Sequence, residues 1–393
     1  MKALRDFFEK TKPYVQKGAK YHWLHSTHDA FFTLAFVPKN TSKSGSHIHD
    51  HIDLKRTMSF VIIALLPALL FGMYNTGYQH FKAIGELAST GFFTVFFYGL
   101  LKVLPVVIVS YVVGLGVEFA FAQMRGHEVN EGFLVSGMLI PLVMPINTPL
   151  WMVAVATVFA VIFGKEVFGG TGMNIWNPAL LARAFLFFAY PAQMSGDKVW
   201  VTLKDSDKVV DGFTGATPMA DAAAGNIDFN VFDAFIGLIP GSIGETSTLA
   251  ILLGAVFLII TGIGSWKIMV STVAGGMLMG IILNLFAGVQ GLSPAVAAYF
   301  SMPFWHHLVL GGFAFGAVFM ATDPVSAAQT DTGKWIYGFL IGVTAILFRV
   351  VNPAYPEGMM LAILLMNTFA PLIDHYVVEA NIKRRLKRVK VSA

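Results

Sequence analysis

FFTVFFYGLLKVLPVVIVSYVVGLGVEFAFA, residues 92–122, holds only two charged side chains, Lys102 and Glu118. At about 1.5 Å per residue a helix of this length exceeds the ~30 Å hydrocarbon core of a bilayer. It reads as a membrane span. The rest of the chain has the same character: of 393 residues 55% are hydrophobic and 13% are charged, against roughly 25% charged in a soluble domain. That is too little polar surface to cover a water-soluble globule, and it predicts many spans, not one anchor.

A helix-length window moved outward from that segment gives ten candidate spans: 55–76, 92–122, 133–148, 150–164, 174–191, 246–264, 267–287, 305–321, 335–350 and 358–379. Pro141, Pro145 and Pro149 interrupt the pair between 133 and 164, so a single re-entrant hairpin is the competing reading there. The expected fold class is an all-α polytopic membrane protein of about ten transmembrane helices. Its expected parts are a polar, amphipathic leader (1–53), a first transmembrane half (54–191), a polar loop (192–245), a second half (246–379) and a basic tail (380–393).

Basic residues set the expected orientation. With both termini cytoplasmic, 20 of the 27 Lys and Arg fall inside and four outside, while Lys102, Arg183 and Arg349 lie within spans. The 192–245 loop, acidic overall, then faces outward. Asn177-Pro178-Ala179 precedes the fifth span and Asn352-Pro353-Ala354 the tenth. Two inverted five-helix halves would give this pattern; so would the ordinary preference of Asn-Pro for helix starts.

Several chemistries are excluded or disfavoured. There is no cysteine, so disulfides, thiolate nucleophiles and iron–sulfur clusters ligated by this chain are excluded. No Gly-Lys-Ser/Thr follows the glycines of 169–172 and no dinucleotide fingerprint is present, so neither a P-loop nor a dinucleotide-binding site is expected in this chain. The net charge of +4 reports topology in such a chain and gives no nucleic-acid reading. No signal peptide is expected, because residues 1–30 lack an apolar core.

What remains is local chemistry. DGFTGATPMA, residues 211–220, is rich in turn formers and exposes the hydroxyls of Thr214 and Thr217 around Gly215 and Ala216; it is a candidate modification site or a plain surface turn. FGGTGMNIWNPALLAR, residues 168–183, allows close backbone approach at three glycines and supplies the amides of Asn174 and Asn177. It suits either a planar heterocycle or simple packing and capping. Acids at membrane depth are costly, about 2.5–3.5 kcal/mol on insertion scales. Glu118, Asp374 and Asp323 are therefore candidates for Na⁺ or proton handling, or else for interfacial caps. His47, His49 and His51 form a possible metal tract, and His306, His307 and His375 are possible haem ligands. No residue is assigned to catalysis.

The 211–217 segment resembles the flavinylation motif Asp-x-x-Ser/Thr-Gly-Ala-Thr of the membrane subunits of Na⁺-translocating NADH:quinone reductase and of the related Rnf complex. DLKRTM at 53–58, KEVFGGTG at 165–172, IPGSIGETSTLA at 239–250, MATDPVSA at 320–327 and VNPAYPEGMMLAILLMN at 351–367 extend the resemblance along nearly the whole chain, toward the family of B subunits of the Na⁺-pumping reductase. The resemblance implies an electron-transfer subunit with FMN esterified to Thr217 outside, and a non-covalent riboflavin near Asn174 and Asn177. It further implies quinone and Na⁺ as partners, together with the other subunits of the complex and a flavin transferase for maturation. The alternatives are the flavinylated subunit of an Rnf-type ferredoxin:NAD reductase and a small-solute channel or carrier of similar inverted-repeat architecture.

Overall fold

A computed structural model describes residues 2–15, 19–36, 44–46, 54–125, 132–203, 209–210, 213–227, 229–291, 293–352 and 358–390. The His47–His51 tract and Asp211 lie outside them. Among the described residues the chain is all-helical, with no strand.

The leader folds as α1 (Lys2–Val15) and α2 (His25–Ala35). Phe8 packs edge-on against His28 and Phe32, which closes the two helices on each other. The first half then runs through α3 (Leu54–Ala83), α4 (Phe92–Arg125), α5 (Phe133–Leu142), α6 (Leu150–Gly164) and α7 (Pro178–Ala189). Short helices α8 (Pro191–Met194), α9 (Pro218–Ala223) and α10 (Val231–Ile236) fill the central loop. The second half comprises α11 (Thr248–Ile260), α12 (Trp266–Leu285), α13 (Pro294–Ser301), α14 (His306–Val309), α15 (Phe313–Phe315), α16 (Asp331–Val351) and α17 (Met359–Lys390).

Among the described residues six helices are long and apolar enough to cross a membrane, and α5, α7 and α11 are shorter apolar helices. This is a polytopic membrane architecture. Two expected spans are broken, however. The 133–148 segment is helical only to Leu142, and residues 143–149 run irregularly to Pro149 ahead of α6. The 305–321 segment is divided into α14, α15 and a π-helical turn, Gly316–Met320, with Gly311 and Gly312 at positive φ between α14 and α15. The tail expected to start at 380 is continuous with α17, which is helical to Lys390. Asn352 ends α16, and α17 starts at Met359, so the second Asn-Pro does not open its span as Asn177-Pro178 opens α7.

The two ends of the bundle are distinguishable. Gln123 donates to the His22 carbonyl at 3.4 Å and Phe119 meets Phe31, so the leader sits at the Arg125 end of α4. At the other end of α4, Val210 N–H donates to the Ala83 carbonyl at 2.9 Å. There His80, stacked on Tyr98 at 4.2 Å, lies 2.6 Å from the Thr202 carbonyl oxygen. The central loop therefore covers the end opposite the leader. The halves join where α3 meets α11, with Gly254 against the Ala64 carbonyl, and where Trp176 Nε1 donates to Thr368 on α17 at 3.0 Å.

Candidate functional site

Two cavities lie on either side of the broken helices. The one at the central-loop end, called outer here, is lined by Thr217, Pro218, Ser242, Glu245, Thr246 and the 309–312 segment. Within Thr-Gly-Ala-Thr each residue has a distinct task. Thr214 is exposed. Gly215 packs so closely on Asp197 that a Cβ would run into the Asp197 carbonyl oxygen; only glycine fits. Ala216 is half-buried, and Thr217 is buried as the cap of α9, its Oγ accepting from Ala220 N–H at 3.2 Å. A threonine oxygen in an ester can still accept that bond, so esterification at Thr217 does not cost the helix its cap. Burial, and the nearby Asp197 carboxylate, push the Asp221 carboxyl upward. Thr217 lines this cavity together with Gly241, Gly311 and Gly312, where a phosphoester of FMN would be held.

Two arginines that the sequence merely places within spans hold residues of this cavity's wall, Ser242, Glu245 and Leu310, in place. Arg183 of α7 donates to the Val143 carbonyl at 2.6 Å, to Ser242 Oγ at 3.1 Å and to Glu245 at 3.0 Å, all buried. Arg349 of α16, fully buried, donates to the carbonyls of His307 and Leu310 at 2.6 and 2.7 Å. Each guanidinium satisfies the carbonyls that a broken helix leaves orphaned. Gly244 and Ile243 N–H groups close the rest, donating to Leu142 and Met144 carbonyls at 2.7 and 3.2 Å.

The other cavity, called inner here, is lined by Thr57, Ser136, Lys165, Thr171, Asn174, Asn177, Asp323 and apolar neighbours including Leu139 and Phe319. The structure thus brings together Asn174, Asn177 and Asp323, which the sequence names separately. Asn177 Oδ1 caps α7, accepting from Ala179 N–H at 2.9 Å, which leaves its NH₂ to donate. Asn174 Nδ2 donates to the Trp176 carbonyl at 3.2 Å, which leaves an acceptor. One amide donor and one acceptor above an apolar floor suit the edge of an isoalloxazine. Gly169, Gly170 and Gly172 all take positive φ, so the glycine run is a backbone requirement of this loop.

The acids are engaged differently. Glu118 forms a buried ion pair with Lys165. Next to it, Arg125 pairs with Glu166 at 2.9 Å, so α4 and the start of the glycine loop exchange opposite charges twice. Asp374 accepts from Gln329 N–H, Thr330 N–H and Thr330 Oγ at 2.7, 3.0 and 2.5 Å, holding the start of α16. Asp323 accepts from Val325 N–H and Ser326 Oγ, but residues 324–326 form a turn and no helix follows before Asp331, so it closes a turn and does not cap a helix. Glu118 and Asp374, expected to act as a pair, have separate partners, and neither lines the inner cavity. His307 stacks on Tyr299 and His375 is exposed beside Tyr376, so the two have different surroundings. Among the described residues no group of three acids and histidines is gathered as a metal would need.

A helical membrane protein with two cavities beside broken helices is the class this geometry defines. The chain belongs to the NQR2, RnfD, RnfE family, whose model matches residues 41–383. It is similar to the B subunit of the Na⁺-translocating NADH-quinone reductase of Chromohalobacter salexigens, 48% identical over 98% of this chain and 96% of the relative. It is also similar to the proteins of the same name from Ectopseudomonas mendocina, 49% identical over 98% of this chain and 99% of the relative, and Pseudomonas aeruginosa, 47% identical over the same shares.

Proposed function

We propose that the chain works as the B subunit of a Na⁺-pumping NADH:quinone oxidoreductase in a bacterial inner membrane, with both termini cytoplasmic. In this reading FMN is esterified to Thr217 by a flavin transferase, riboflavin occupies the inner cavity, and electrons pass from the outer site through the inner one to quinone. The other subunits of the complex supply NADH oxidation. When bound, the two flavins provide the one-electron chemistry that the chain's own side chains lack. Thr217 anchors, Asn174 and Asn177 orient, and the apolar floor formed by Leu139 and Phe319 excludes water.

The observation that carries this reading is the placement of the two cavities. Leu139 lines the inner one, and only four residues on, the Val143 carbonyl is held by Arg183, whose partner Glu245 lines the outer one. One short, interrupted apolar segment falls in each half, as in inverted-repeat proteins whose sites lie between the halves; this supports two inverted five-helix halves. Uptake of Na⁺ from the leader's side by Glu118 and Asp374, with Asp323 at the cavity wall, belongs to the same proposal. Purified chain from flavin-replete cells tests the reading. Denaturation should release riboflavin and leave FMN on the polypeptide, and a colourless preparation with neither flavin would end it.

A further inference from the structure

Among the residues lining the inner cavity the charged side chains are Lys165 and Asp323. Asp323 is bound by Val325 N–H and Ser326 Oγ. Lys165 is different: its side chain is 5% exposed, its ammonium meets Glu118 on α4, and it lies 3.5 Å from where a Cβ on Gly132, itself a wall residue, would stand. The ammonium therefore sits at the cavity wall with a carboxylate behind it. Its backbone is fixed by N–H donation to Val161 and by acceptance from Gly170 N–H, so only the side chain can respond.

Riboflavin has no phosphate. A buried lysine in its cavity has no anionic group on the ligand to hold until electrons arrive, and each electron added without a proton brings one negative charge into a water-poor space. A cation aimed at the place where charge develops stabilises the charged form, and a carboxylate beside that cation weakens its effect.

We propose that Lys165 is the counter-charge for the group reduced in the inner cavity, a positioning residue whose strength is set by its pairing with Glu118. The electron comes from the outer flavin, which is oxidised as the inner group is reduced, and no bond to Lys165 forms or breaks. The proposal rests on riboflavin occupying this cavity.

The two members of the pair act in opposite directions, which a merely structural role would not produce. In the intact complex, the midpoint potential of the non-covalent flavin is followed by spectroelectrochemical titration. Lys165→Met should lower it by the equivalent of tenfold or more in a one-electron equilibrium, about 59 mV. Glu118→Gln should raise it, and Lys165→Arg should leave it near the starting value. An unchanged or raised potential in Lys165→Met overturns the proposal. If that variant loses its riboflavin, Glu118→Gln decides, and a potential that fails to rise overturns the proposal equally. The cavity assignment is tested separately with Val135→Trp, which fills the wall. Full riboflavin content in that variant removes the assignment and the proposal together, whereas loss of riboflavin there with no shift in Lys165→Met removes the proposal alone.

Discussion

Arg183 on α7 and Glu245 ahead of α11 form an ion pair at 3.0 Å in which both side chains are almost wholly buried. The pair joins the two halves at the outer cavity, and its cation also holds the Val143 carbonyl where α5 ends. Removing one partner of such a pair leaves a buried charge uncompensated, at a cost of about 3–5 kcal/mol. Glu245→Gln is expected to lose that much stability in detergent, measured by denaturant unfolding, and to reduce flavin attachment at Thr217. A loss below about 1 kcal/mol would show that the pair is not what holds the halves there.

Thr217→Ala should abolish covalent flavin fluorescence in denaturing gels, while Thr217→Ser should retain it, since serine keeps both the acceptor oxygen and the α9 cap. The cap itself contributes about 1 kcal/mol, too little to explain a complete loss by unfolding. Thr214→Ala, at an exposed position, should leave fluorescence in place. Fluorescence in Thr217→Ala protein would put the attachment elsewhere.

The Asn174→Ala/Asn177→Ala double variant should lose riboflavin and keep covalent FMN. Because Asn177 also caps α7, Asn177→Ser is the control: serine caps well but has no amide to donate. Its riboflavin content should fall while thermal stability stays close to that of the parent. Full riboflavin in the double variant, by chromatography of the denatured supernatant, would exclude this wall as the site.

For Asp374→Asn, the Na⁺ concentration giving half-maximal quinone reduction should rise several-fold with both flavins bound, because an amide keeps size and loses charge. Asp374 also accepts three bonds from Gln329 and Thr330, so stability should be measured in parallel. An unshifted Na⁺ curve in a destabilised protein would assign Asp374 to holding α16 alone.

How much of this could be read in advance depended on how local each cause is. The span at α4 is legible because hydropathy alone fixes it, and Thr-Gly-Ala-Thr is legible because its hydroxyls and glycine lie within four residues. The breaks at 143–149 and 310–312 are not decided locally. Pro141, Pro145 and Pro149 signal trouble in the first, but the carbonyls freed there are satisfied by Gly244, Ile243 and Arg183, which follow tens of residues later. Lys165 reads as a topology marker and Glu118 as a lone membrane acid. Their pairing spans 47 positions and has no periodicity to announce it. Arg183 and Arg349 likewise read as costly exceptions within spans, although each is the donor that a broken helix requires.

Between Leu139 at the inner cavity and the Val143 carbonyl held by Arg183 lies a single turn of main chain at the end of α5. Side chains are exchanged by single-base changes; the path of a backbone is not. The distance across that turn is therefore set by the chain's path, and a substitution facing either chamber changes what is held there without changing how far apart the chambers lie.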